Sequence, residues 1–157
     1  MQPGDNFVEL MKGFEGCVLC PYVDAVKIPT IGIGSTHYED GTAVTLRDRC
    51  ISYERAVSLL NGYVNSEVIS INAIVRSTLN QNQFDAILSF SYNEGIGRFK
   101  SSTMFKKINI NPNDQTIRDE FNKYVWGHDA KTGLPVKISG LISRRKKEAD
   151  LYFTPWP

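Results

Sequence analysis

No stretch of this 157-residue chain approaches the ~20 consecutive apolar residues that a membrane-spanning helix needs. The N-terminus, MQPGDNFVELMKGFEG, has no basic flank leading into an apolar core and no cleavage site, so neither a signal peptide nor a membrane span is expected, nor any stable membrane association. Charge of one sign is also missing. A formal net charge of +1 leaves no whole-protein field that would argue for a nucleic-acid partner. Cysteine is scarce and odd in number: Cys17, Cys20 and Cys50 do not suggest a disulfide scaffold. Cys17 and Cys20 have the two-residue gap of a redox or zinc half-site, but there is no second pair, and only His37 and His128 are left to complete a metal site. Buried or half-buried thiols are the expectation, with no metal and no cofactor. No segment repeats and none is low in complexity.

What is present is the composition of an ordinary soluble globular protein, with 41% hydrophobic and 22% charged residues. The length suits a single domain over 1–157 that can bury a sizeable core. Phe7, Val8, Leu10, Met11 and Phe14 form an apolar stripe at helical spacing behind Asp5, a plausible N-cap. Two β-prone runs follow, Val18 to Val23 and Thr30 to Ile33, and read as a hairpin. From Ser52 to about Val75 the apolar residues recur at three or four, as one long helix or as two joined at Gly62. Residues 81–93 read as an almost wholly apolar helix, the centre of a second lobe. Further helices are expected at Met104 to Ile108 behind Ser101 or Ser102, at about Asp114 to Tyr124, and at Leu141 to Tyr152, with a loop from Trp126 to Pro135. The run Arg144-Arg145-Lys146-Lys147 reads as a solvated helix face, with attraction to an anionic polymer as the sharper alternative.

Residues 14–36, FEGCVLCPYVDAVKIPTIGIGST, are the chemically suggestive stretch. Glu15 ends a helix, because Gly16 directly after it is the residue type that stops one. The negative end of the helix dipole favours the protonated form of a carboxyl placed there, as a general acid requires. Asp24 falls near the hairpin turn. Gly32 and Gly34 leave one face of the second strand bare, so that a ligand or another backbone can approach. Two carboxylates in such positions are, taken alone, ordinary surface residues.

The spacing carries more. Glu15 and Asp24 have eight residues between them and Asp24 and Thr30 have five, with Gly16, Tyr22 and Thr30-Ile31-Gly32-Ile33-Gly34 around them. This resembles the active-site motif of the phage-type lysozymes of glycoside hydrolase family 24. The likeness continues through Gln83-Phe84-Asp85-Ala86, through Ser89 to Gly97, to Phe99 and Ser102, and again through Trp126, Gly140-Leu141, Arg144-Arg145 and Glu148. One departure is Lys27, where many members carry a turn glycine.

The resemblance implies an α+β, lysozyme-like fold. A small N-terminal β-hairpin lobe (about 1–60) and a mainly helical C-terminal lobe (about 61–157) would be joined by a long helix, with a cleft between them. It implies an endolysin muramidase that cuts the β-1,4 bond between N-acetylmuramic acid and N-acetylglucosamine in a peptidoglycan strand. Glu15 would be the proton donor, Asp24 would stabilise the sugar cation or orient water, and Thr30 would place that water, with inversion at the anomeric carbon. Gly34, Tyr92 and Ser102 fall where relatives contact sugar. A monomer is expected, made in the host cytoplasm and released to the wall through holin lesions. The competing readings are a catalytically degenerate peptidoglycan-binding module and a lytic transglycosylase.

Overall fold

The structure, a computed structural model, describes residues 1–156. Its order is α1 (Asp5–Glu15), β1 (Val18–Val23), β2 (Pro29–Gly32), α2 (Tyr53–Tyr63), α3 (Asn65–Ile74), α4 (Gln81–Glu94), α5 (Ile96–Ser101), α6 (Thr103–Ile110), α7 (Ile117–Phe121), β3 (Trp126–His128), β4 (Pro135–Lys137) and α8 (Ser139–Tyr152). The chain divides into two compact units, Val8–Ser66 and a second made of Met1–Phe7 with Glu67–Pro157. The helical pattern from Ser52 onward is broken at Val64, not at Gly62: Val64 ends α2, its N–H bonding the carbonyls of Leu60 and Gly62, and α3 starts at the next residue.

In the Val8–Ser66 unit, β1 and β2 pair antiparallel, with Tyr22 opposite Thr30 and Val18 opposite Gly32. The register slips between Val18 and Tyr22, around Pro21, which has no N–H to give to a ladder. Ile31 and Val44 pack with Leu59 of α2 into a small buried cluster that Tyr38 and Ile51 partly cover. A disulfide joins Cys20 to Cys50, and only Cys17 is a free thiol. This corrects the expectation of unpaired thiols. The pair is separated by 30 residues and becomes visible only once the hairpin and the segment before α2 are side by side, where Ile51 N–H also bonds Leu19 O.

The other unit is built on α4, whose residues from Asn82 to Ser91 are all buried. Asn80 and Gln83 cap its start reciprocally. Phe90 meets Phe99, Phe121 and Tyr124 edge-on, with centroids 6.3, 5.7 and 4.8 Å away. Asn82, Gln83, Asp85 and Ser89 of this buried helix each serve a distant backbone or charge, whereas the buried Ser91 hydroxyl has no hydrogen-bond partner among the described residues. Asp85 accepts from the N–H groups of Gly4 (3.0 Å) and Phe7 (3.2 Å), so the start of α1 is capped by a residue far along the chain. Asp5, expected as that cap, is the first residue of the helix instead.

The basic run on α8 also splits. Arg144 and Arg145 are buried, and Arg144 Nε lies 3.2 Å and Arg145 Nη1 3.0 Å from the buried Glu148 carboxylate, which also accepts from Ser89 Oγ at 2.7 Å. Only Lys146 and Lys147 face solvent, so the solvated stripe of four is corrected to two. The expected loop at 126–135 holds the short β3–β4 hairpin, and the helix expected at 114–124 is confined to α7.

Candidate active site

Glu15 is the last residue of α1, and Gly16 after it takes φ +76°, the left-handed conformation that lets the chain turn out of the helix. The Glu15 side chain lies half-buried against Gly34. A Cβ at position 34 would stand 3.3 Å from Glu15 Cβ, 3.4 Å from Cγ and 3.6 Å from Oε2. Gly34 therefore shapes the seat of the carboxyl. Gly32 does something else: a Cβ there would sit 3.1 Å from Ala56 Cβ, so this glycine lets α2 approach the strand. The two glycines expected to keep one face bare thus face different neighbours, a helix at Gly32 and the acid at Gly34.

Asp24 follows β1 and is held by the turn it opens. Its Oδ1 accepts from the N–H groups of Val26 (2.9 Å) and Ile28 (2.7 Å), while its backbone N–H bonds Ile28 O. Among the described residues Oδ2 has no hydrogen-bond partner, which leaves one carboxylate oxygen for chemistry. Lys27, the turn position where the family resemblance leads one to expect a glycine, adopts φ +65°. The turn is thus the one a glycine would make, at a conformational cost of about 1–2 kcal/mol for a residue with a Cβ.

Thr30, in β2, is only 2% exposed and donates its hydroxyl hydrogen to Ile28 O at 3.0 Å. Its lone pairs are what remain for a water. Tyr22, across the ladder from Thr30, is half-buried. Burial pushes its hydroxyl up from the ordinary tyrosine range, and the charges of Asp24 and then Glu15 push it the same way. Both carboxylates act on it. The sequence marks Tyr22 only as part of a resemblance; its position opposite Thr30 in the ladder is what points to the site.

Glu15, Asp24, Thr30 and Gly34 all belong to the Val8–Ser66 unit. Tyr92 and Ser102 belong to the helical one. Tyr92 is partly exposed, with the Arg144 guanidinium 5.9 Å from its ring centroid. Ser102 is 5% exposed, donates to Phe99 O (2.6 Å) and accepts from Phe105 N–H (3.0 Å), so its hydroxyl acts as the N-cap of α6.

The phage lysozyme family model matches residues 12–148, a span that holds all six of these positions. The chain belongs to the phage lysozyme family. It is 34% identical to the endolysin of Salmonella phage P22 over 154 residues, covering 98% of this chain and 99% of that one. It is 36% identical to the endolysin of Bacillus phage B103, covering 94% of this chain but only 52% of that protein, so it spans about half the length of that relative. Among solved structures, the endolysin of Escherichia coli O157:H7 phage FAHEc1 superposes with a TM-score of 0.84 at 33% identity, over 98% of this chain and 94% of that one. The expected α+β lysozyme-like fold agrees with that likeness. A glycosidase of the lysozyme type, acting on peptidoglycan, is the activity that membership carries.

Proposed function

We propose that this phage lysozyme is an endolysin muramidase, hydrolysing the β-1,4 bond between N-acetylmuramic acid and N-acetylglucosamine with inversion. The observation that carries the reading is the Glu15 carboxyl, seated on Gly34 in the same compact unit as Asp24 and Thr30. Cleavage needs a proton on the leaving oxygen and a group to meet the charge that develops at the sugar carbon. Glu15 delivers the proton. Asp24, fixed by two turn amides through one oxygen, turns the other toward the cation-like centre or the attacking water. Thr30 has its hydrogen engaged by Ile28 O, so it acts toward that water as an acceptor and holds its lone pair on line. Gly34 offers backbone to the glycan and Tyr92 an aromatic ring, while the Ser102 hydroxyl, the third candidate contact, is engaged at both ends by Phe99 O and Phe105 N–H. The protein works as a monomer and reaches the wall through lesions opened by a separate holin.

The doubt that would favour a degenerate binding module is the non-glycine turn at Lys27. Its left-handed backbone supports retention of the turn around Asp24. The deciding experiment is a product spectrum from purified peptidoglycan. Reducing muramic acid ends in the α configuration are expected at first appearance. Anhydro ends would make the enzyme a lytic transglycosylase, and retained turnover by folded Glu15→Gln protein would end the assignment.

A further inference from the structure

In the helical unit, the C-terminal part of α3 and the length of α6 form a groove of about 660 Å³. Ile74 and Phe105 are part of its apolar lining, Ile110 stands at its lip, and Arg76, Lys100 and Lys106 ring it. Arg76 N–H bonds Asn109 Oδ1 at 2.6 Å, which ties the two helix ends together and makes the groove a built feature. Ile110 is 85% exposed, and Ile69, four residues before Ala73 on the same face of α3, is 61% exposed. The charged residues that line the groove are all cations. Among the described residues none of the three cations forms an ion pair, whereas the neighbouring Lys107 is engaged by Glu120 at 2.9 Å.

We propose that this face docks reversibly on an anionic phospholipid bilayer. Apolar side chains held out in water, encircled by cations with no partner, are the makeup of a surface that sits in the headgroup region of a membrane. Ile110 and Ile69 enter the boundary of the acyl chains, and Arg76, Lys100 and Lys106 meet phosphates. Such contact is peripheral, since no helix among the described residues is long and apolar enough to span. It is also independent of the wall-cleaving reading, because none of these residues belongs to the site described above.

The test is co-sedimentation of the whole protein with vesicles of phosphatidylglycerol mixed into phosphatidylcholine, against pure phosphatidylcholine, at low and moderate salt. Binding only to the anionic vesicles is expected, weakening with salt. Each of Arg76→Gln, Lys100→Gln and Lys106→Gln should lower the partition about fivefold, and all three together about a hundredfold. Ile110→Asp should lower it at least about tenfold. All four positions are exposed, and melting curves check that each variant is folded. Lys146→Gln with Lys147→Gln removes two exposed charges elsewhere and should leave binding near wild type. Equal binding to neutral vesicles, no binding to anionic ones at low salt, or an equal loss in the lysine pair variant would each overturn the proposal. So would capture of dodecyl phosphate monomers without vesicle binding, which would make the groove a small-amphiphile site.

Discussion

Replacing Gly34 by alanine separates what a glycine does for the backbone from what it does for Glu15. At φ +71° a residue with a Cβ is strained by about 1–2 kcal/mol. Alanine recovers roughly 0.5–1 kcal/mol by restricting the unfolded chain. The net loss is therefore about 1 kcal/mol, a fall in Tm of about 2–4 °C for a protein of this size. Gly41 provides the matched control. It has φ +84°, and a Cβ added there meets nothing within 4 Å, so Gly41→Ala carries the same backbone penalty with no neighbour. At position 34 the new methyl stands 3.3 and 3.4 Å from Glu15 Cβ and Cγ, so the acid must shift. Because about 1 Å of misplacement can cost about a hundredfold in rate and the shift needed here is a few tenths of an ångström, Gly34→Ala should lose roughly threefold to tenfold in turnover. Gly41→Ala should stay near wild type. Thermal melts paired with turbidity loss of permeabilised Gram-negative cells read both quantities. Equal activity loss in the two variants, or a wild-type rate for Gly34→Ala, would refute the argument that Gly34 seats the acid.

Three further outcomes follow from the geometry. Lys27→Gly should stabilise the protein by about 0.5–1 kcal/mol in urea unfolding, the left-handed strain at φ +65° exceeding the added flexibility of glycine; a lower midpoint would show that the turn is not strained. Reducing Cys20–Cys50, or replacing both by serine, reopens a loop with a sequence separation of 30 and should cost about 3 kcal/mol, with an unchanged midpoint as the contrary result. Burial raises the Glu120 carboxyl, but hydrogen bonds from Lys123 and Lys107 outweigh it and hold the group below the usual 4.5. A depressed folded value means this contribution is whole above about pH 4.5 and is lost as pH falls through the folded value. Glu120→Gln should flatten that part of the acid limb in urea midpoints taken from pH 3 upward, and an unaltered limb would assign the acid sensitivity elsewhere.

Features that depend on near neighbours in the chain were legible beforehand. Apolar periodicity marks α4 and α8, Ser102 caps α6, Gly16 ends α1, and the intervals from Glu15 to Asp24 to Thr30 identify the family before any contact is known. The first three rest on groups within a few residues of one another, where covalent geometry limits the outcomes, and the last on a spacing along the chain that resembles a known motif. What only the tertiary structure decided depends on groups far apart in sequence. Asp85 rather than Asp5 satisfies the start of α1, Cys50 rather than Cys17 takes Cys20, and Glu148 with Ser89 draws Arg144 and Arg145 out of solvent. Gly32 and Gly34 look interchangeable in the string of residues, yet one admits a helix and the other seats a carboxyl. The physical reason is that a buried polar group or a close approach must find its partner wherever folding brings one, and linear spacing carries no record of that position.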